Sequence, residues 1–183
     1  MPTINVAHTF DFMTIRLFIG FLLAGLVCSC SSVKDAAPER VDMNVVLPDT
    51  LLAASGESIS RENLKGKLVG LYFSASWCPP CRAFTPKLIA FRNSCSSKFE
   101  VVLVGGDSTP EEQQSYVTTH GMPWLSLVNN GAHANKLGVD FGVRSIPTLI
   151  ILSPEGVVIT TDGRGDVEKE GSSAIDMWID KAS

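Results

Sequence analysis

The sequence predicts an α/β fold, a central mixed β-sheet flanked by helices, and three observations carry that prediction. Two apolar runs of strand length, residues 68–73 and 101–104, are each followed by helix-start signals. A hairpin pattern closes the second half and leads into an amphipathic last helix. About 150 residues remain once the N-terminal segment is set aside, enough for one domain with a real core and not for two.

In chain order, residues 44–52 read as a first strand region, with a turn at Ser55-Gly56 and an irregular continuation over 59–67. Residues 68–73 then form a buried central strand. A helix is predicted from Pro79 to about Ser97, with a kink near Pro86. After the strand at 101–104, Ser108-Thr109-Pro110-Glu111-Glu112 offers a cap, a proline at the first helical position and acids in the first turn. That helix leads to Gly121. A short strand at 124–128 and a short helix at 132–141 follow. Strands at 148–152 and 157–161 turn about Ser153-Pro154-Glu155-Gly156, and the helix at 172–181 puts Ala174, Ile175, Trp178 and Ile179 on one face.

The chemistry sits at Trp77-Cys78-Pro79-Pro80-Cys81, where the central strand gives way to the helix. A cysteine at a helix N-terminus faces unpaired backbone N–H groups and the positive end of the helix dipole, and both favour thiolate over thiol. In such Cys-x-x-Cys sites the first thiol titrates at roughly 3.5 to 7.5 rather than about 8.5. Cys78 is therefore the expected nucleophile, presented to solvent, and Cys81 the recessed resolving thiol. Pro79 and Pro80 remove two backbone donors, which leaves mainly the N–H groups of Cys81 and Arg82 near the Cys78 sulfur. Fewer donors mean a less depressed pKa, so a reductant or mid-potential carrier is expected. A lone Cys-x-x-Cys could be half a zinc site, yet no second such pair follows and His8, His120 and His133 are scattered.

The run Leu71-Tyr72-Phe73-Ser74-Ala75-Ser76-Trp77-Cys78-Pro79-Pro80-Cys81-Arg82-Ala83-Phe84-Thr85-Pro86-Lys87-Leu88 resembles the tryparedoxin and nucleoredoxin branch of the thioredoxin superfamily. Met122-Pro123-Trp124-Leu125 and Val143-Arg144-Ser145-Ile146-Pro147-Thr148-Leu149 extend the likeness in the same order, and it covers about 44–180. The resemblance implies a thioredoxin-like fold, a redox-active Cys78–Cys81 disulfide and Trp77 as the aromatic flank of the reactive sulfur. It further implies that Pro147 is a cis-proline facing the disulfide, with the Ile146 backbone pairing to an extended segment of the partner. Partner binding by strand addition tolerates many sequences, because main-chain hydrogen bonds supply the affinity.

Thioredoxins carry a buried aspartate six residues before the first cysteine, and Tyr72 stands there in this chain. The proton acceptor for Cys81 is thus unassigned; Asp107 is a candidate by position, against the plainer reading of a cap or loop residue. Trp124 is read as a substrate-binding residue on the rim beside Trp77, against a plain core position. Arg82 and Arg144 could raise the local potential or simply be solvated. Cys95 reads as a buried inert thiol, and Arg164-Gly165-Asp166 as a chance tripeptide.

At the front, residues 17–27 form an apolar core of signal-peptide length behind Arg16, too short to span a bilayer comfortably. Residues 1–30 are read as an export signal, with Met13 a better start than Met1. Val27-Cys28-Ser29-Cys30 resembles a bacterial lipobox, with Cys30 the better lipid acceptor because Ser29 is small. Residues 31–42 then form a flexible tether and 43–183 the domain.

The five cysteines leave only Cys78, Cys81 and Cys95 outside the signal, so no disulfide framework holds the fold. A net charge of −4 and a pI near 5.3 argue against nucleic-acid binding. The expectation is a monomeric, lipid- or signal-anchored thiol–disulfide oxidoreductase of the bacterial envelope, needing no cofactor or metal. Its partners would be proteins carrying disulfides and a membrane or soluble dithiol reductant. The opposite direction, oxidase or isomerase, and a Cu(I) metallochaperone use the same two thiols.

Overall fold

In the computed structural model, which describes residues Glu39–Ser183, the strands are β1 (Thr50–Leu52), β2 (Ser58–Ser60), β3 (Leu68–Ser74), β4 (Phe99–Gly105), β5 (Leu125–Ser126), β6 (Thr148–Leu152) and β7 (Val158–Thr160). The helices are α1 (Met43–Val46), α2 (Pro79–Ser94), α3 (Pro110–Thr119), α4 (Ala132–Asp140), α5 (Gly163–Glu170) and α6 (Ala174–Ala182). The expected signal at 1–30, the alternative start Met13, the acceptor Cys30 and the tether up to residue 38 lie outside the described residues.

The strands form one mixed sheet in the order β2-β1-β5-β4-β3-β6-β7. β3 pairs parallel with β4 over seven residues and antiparallel with β6 on its other side. All seven residues of β3 and of β4 are buried, so their stretches 68–73 and 101–104 read in the sequence as continuous apolar runs rather than alternating ones. Side chains still alternate between the faces. Leu68 and Tyr72 enter the cluster beneath α2 and α6 with Phe84, Leu88, Phe91, Phe99 and Trp178. Val69, Leu71 and Phe73 enter the opposite cluster with Leu47, Val102, Ile150 and Leu137. Each such side chain contributes about 1.5–3 kcal/mol by leaving water. Gly70 faces the first cluster, and a Cβ there would press on the Phe99 ring at 2.7 Å.

Several boundaries differ from the sequence expectation for local reasons. The 44–52 region opens as a helical turn because the Asp42 carboxylate caps it, accepting from the Asn44 N–H at 2.8 Å; only Thr50–Leu52 is strand. Ser60 likewise caps a 3₁₀ turn at Arg61–Leu64 inside the expected 59–67 extension. α2 runs through Pro86 and stops at Ser94, where the Lys98 and Phe99 N–H groups return to the Cys95 carbonyl and turn the chain into β4. α5 is an additional helix beyond the sequence expectation: its two glycines weaken the helical signal, and the Asp162 side chain caps it through the Gly165 N–H. Arg164-Gly165-Asp166 therefore lies in a helix, with Asp166 accepting from the indole N–H of Trp178 at 2.9 Å.

Residues 39–41, expected in the tether, pair with the chain at 156–158. The Val158 N–H donates to the Glu39 carbonyl at 2.8 Å and the Val41 N–H to the Gly156 carbonyl at 2.7 Å, so 39–41 lies along the β7 edge. Gly156 has φ +81°, and a Cβ there would overlap the Val41 carbonyl. Among the described residues no helix is long and apolar enough to cross a membrane.

Candidate active site

β3 ends at Ser74, and the next three residues deliver the chain to Cys78, the N-cap of α2. Cys78 is extended, φ −92° and ψ 106°, as the following proline requires. Pro79 and Pro80 occupy the first helical turn, where a missing N–H costs nothing. The first N–H after them, that of Cys81, donates to the Cys78 Sγ at 3.2 Å, and the Arg82 N–H donates to the Cys78 carbonyl at 3.1 Å. Cys78 and Cys81 are joined as a disulfide with their Cα atoms 5.2 Å apart.

Opposite the sulfurs, the Ile146–Pro147 bond is cis and the Ile146 carbonyl lies 3.8 Å from the Cys78 Sγ. Ile146 and Pro147 stand at the head of β6, which is hydrogen-bonded to β3, and this brings segments 68 positions apart into contact. The sequence expectation of an exposed leading sulfur is not met in the disulfide state. Cys78 is 3% exposed, Cys81 is fully buried, and the exposed group at the site is Trp77, at 60%.

Three hydrogen bonds fasten the turn before Cys78. The Ser76 N–H donates to Asp107 Oδ1 at 2.8 Å, the Trp77 indole N–H to the Gly106 carbonyl at 3.0 Å, and Arg82 Nη1 to the Ser76 carbonyl at 2.6 Å. Asp107 is itself held: its carbonyl accepts from the side-chain amides of Asn129 and Asn130 at 3.0 and 2.8 Å. It does not cap α3, because Thr109 and Glu112 form the capping box there. Asn129 and Asn130 escaped the sequence reading, for an Asn-Asn pair in a loop carries no signal that its amides reach the end of another strand.

Trp124 does not stand on the rim. It is 2% exposed and packs edge-on against Tyr72 with ring centroids 6.1 Å apart, so the core reading of this residue replaces the substrate-binding one. Arg144 is exposed and, like Arg82, joins no ion pair among the described residues. Cys95 is buried beneath the end of α2, donates to the Phe91 carbonyl, and burial pushes its thiol up.

A helix-capping disulfide at the end of a central parallel strand, faced by a cis-proline from the neighbouring antiparallel strand, defines a thioredoxin-like protein. The chain belongs to the thioredoxin-like family, whose model matches residues 66–158. Within it, the tryparedoxin of Trypanosoma brucei brucei is 43% identical over 132 residues, covering 70% of this chain and 90% of that protein. Bovine nucleoredoxin is 39% identical over 126 residues, 67% of this chain but only 28% of that protein, so the chain spans less than a third of the nucleoredoxins it matches. Among solved structures, tryparedoxin II from Crithidia fasciculata superposes with a TM-score of 0.66 at 39% identity, over 71% of this chain and 88% of that one.

Proposed function

We propose that this chain is a thiol–disulfide oxidoreductase that reduces disulfides of proteins in the bacterial cell envelope, with Cys78 attacking and Cys81 resolving. In the reduced enzyme the Cys78 thiolate attacks one sulfur of a partner disulfide. A Cys78–partner S–S bond forms, the partner's own S–S bond breaks, and the departing partner thiolate takes up a proton. Cys81, having given up its proton, then attacks the Cys78 Sγ. The Cys78–Cys81 disulfide closes, and the second partner thiolate leaves and is protonated. Two electrons pass to the partner, and a dithiol donor restores the enzyme.

The observation that carries this reading is the Cys81 N–H donating to the Cys78 Sγ at 3.2 Å from the first turn of α2. That donor and the helix dipole stabilise negative charge on Cys78 and not on Cys81. The diproline spacer supports the reducing direction, since it leaves the sulfur few donors, and a strong oxidant needs a heavily stabilised thiolate. The exposed Trp77 and the Ile146 backbone beside the sulfur would receive an extended partner segment.

Placement in the envelope rests on the apolar run at 17–27 and on Cys30, which would carry the lipid. Trapping with Cys81→Ser tests the function: mixed disulfides through Cys78 are expected with envelope proteins, and Cys78→Ser should yield none. A reduction potential near about −270 mV supports the reductase, whereas one near about −120 mV would make the chain an oxidase. Labelling with a radioactive fatty acid should mark the wild-type chain and not Cys30→Ser.

A further inference from the structure

The Phe84-Thr85-Pro86 run beneath the active site has no part in the exchange steps above, yet it lies against a cluster of buried hydroxyls. Thr85 Oγ1 donates to the Cys81 carbonyl at 2.9 Å. The Tyr72 hydroxyl sits 3.2 Å from the same carbonyl and 3.0 Å from Thr85 Oγ1. Tyr116, from α3, approaches Thr85 Oγ1 at 3.0 Å and Ser74 Oγ at 3.0 Å. All four residues are buried to within 2% of complete exclusion, so each hydroxyl must find its partner inside this group.

The Cys81 carbonyl accepts from both Thr85 Oγ1 and the Tyr72 hydroxyl. Through Thr85 Oγ1 and Ser74 Oγ the Tyr116 hydroxyl joins the same group, so the network reaches from the sheet and α3 to one carbonyl of α2.

The need for this arrangement lies one residue further on. Pro86 has no N–H, so the carbonyl of Arg82 lacks its donor four residues along and the ladder of α2 is missing a rung beside Cys81. The hydroxyls strengthen the adjoining rung, the carbonyl of Cys81 itself.

We propose that Thr85, supported by Tyr72 and Tyr116, is a positioning residue for thiol–disulfide exchange. It pins Cys81 through its carbonyl so that the Cys81 N–H stays aimed at the Cys78 sulfur once the disulfide opens. The cluster does this without charge. Burial raises the Tyr72 hydroxyl well above its ordinary range, so it stays a neutral donor at every working pH. A carboxylate in that place would instead repel the thiolate.

This inference rests on Cys78 being the reactive thiol, and its test is kept separate from turnover. The full chain is reduced and alkylated with iodoacetamide across a pH series, and the labelling of Cys78 is followed by site-resolved mass spectrometry. Thr85→Val should slow Cys78 labelling at pH 6.5 by about three- to tenfold and move its midpoint to higher pH, the effect of losing roughly one hydrogen bond to the thiolate. Thr85→Ser, which keeps the hydroxyl, should restore the wild-type profile. Should Thr85→Val fail to fold, Tyr116→Phe removes one oxygen without changing the packing, and a slowing of about twofold is expected from it.

Unchanged midpoints in the folded variants, or a Thr85→Ser profile matching Thr85→Val, would overturn the proposal and leave Thr85 as packing alone. Failure of Cys78→Ser to abolish partner reduction would instead overturn the functional reading.

Discussion

The backbone N–H of Ser76 donates to Oδ1 of the fully buried Asp107 at 2.8 Å, which ties the turn before Cys78 to the loop after β4. An alanine at 107 leaves that donor without a partner, at a cost of about 1–3 kcal/mol. Asp107→Asn keeps an oxygen in the same place and should retain most of the stability. Urea unfolding of both variants distinguishes the two. Equal losses for Asn and Ala would mean that the charge at 107 matters, not the acceptor.

Gly156 makes a second testable contact. Its positive φ and the nearby Val41 carbonyl leave no room for a side chain, so Gly156→Ala should detach residues 39–41 from the β7 edge. The Val41 amide, which donates to Gly156 at 2.7 Å, should then exchange with solvent near the rate of an open chain. The Gly70 and Leu71 amides in the central strand should keep their protection. Retained protection at Val41 would show that the edge pairing does not depend on this glycine.

Residues whose role is local were legible in the sequence. The diproline spacer, the cap at Cys78 and the start of α3 at Thr109-Pro110 follow from backbone rules acting within four residues. The apolar runs at 68–73 and 101–104 likewise announced two buried strands, though not that they pair in parallel. The cis-proline was legible only through the family likeness, because a trans bond is the default for any single X-Pro.

What stayed hidden depends on contacts between distant segments. The role of Asp107 is set by Ser76, 31 positions away, and the core place of Trp124 by its packing on Tyr72. Two glycines mask α5, a helix that its packing on α2 and β6 stabilises.

That packing ends at Trp178, which is fully buried, lies 5.3 Å from Phe91 and 5.5 Å from Phe99 by ring centroids, and donates its indole N–H to Asp166. Trp178→Phe removes the donor and leaves a void, a loss of roughly 2–4 kcal/mol. Asp166→Asn keeps an acceptor for the indole and should cost far less. Thermal unfolding of the two variants checks the order; a Phe variant as stable as wild type would mean that α6 contributes little to the core.

Burial raises the thiol of Cys95 above its ordinary value of 9.0 and the hydroxyl of Tyr72 above 10.0. A group held protonated in the fold lends stability that is complete below its unfolded pKa and is lost as pH rises through the folded one. The unfolded chain releases the Cys95 proton first, so the stability of the protein with its Cys78–Cys81 disulfide closed should begin to fall above about pH 9 and fall more steeply above about pH 10, where Tyr72 joins it. Cys95→Ala should lower stability at neutral pH through lost packing yet remove the first part of the alkaline decline, leaving the part that Tyr72 sets. Urea titrations from about pH 7 to about pH 10.5 resolve the two slopes. Identical slopes in wild type and Cys95→Ala would place the ionising group elsewhere.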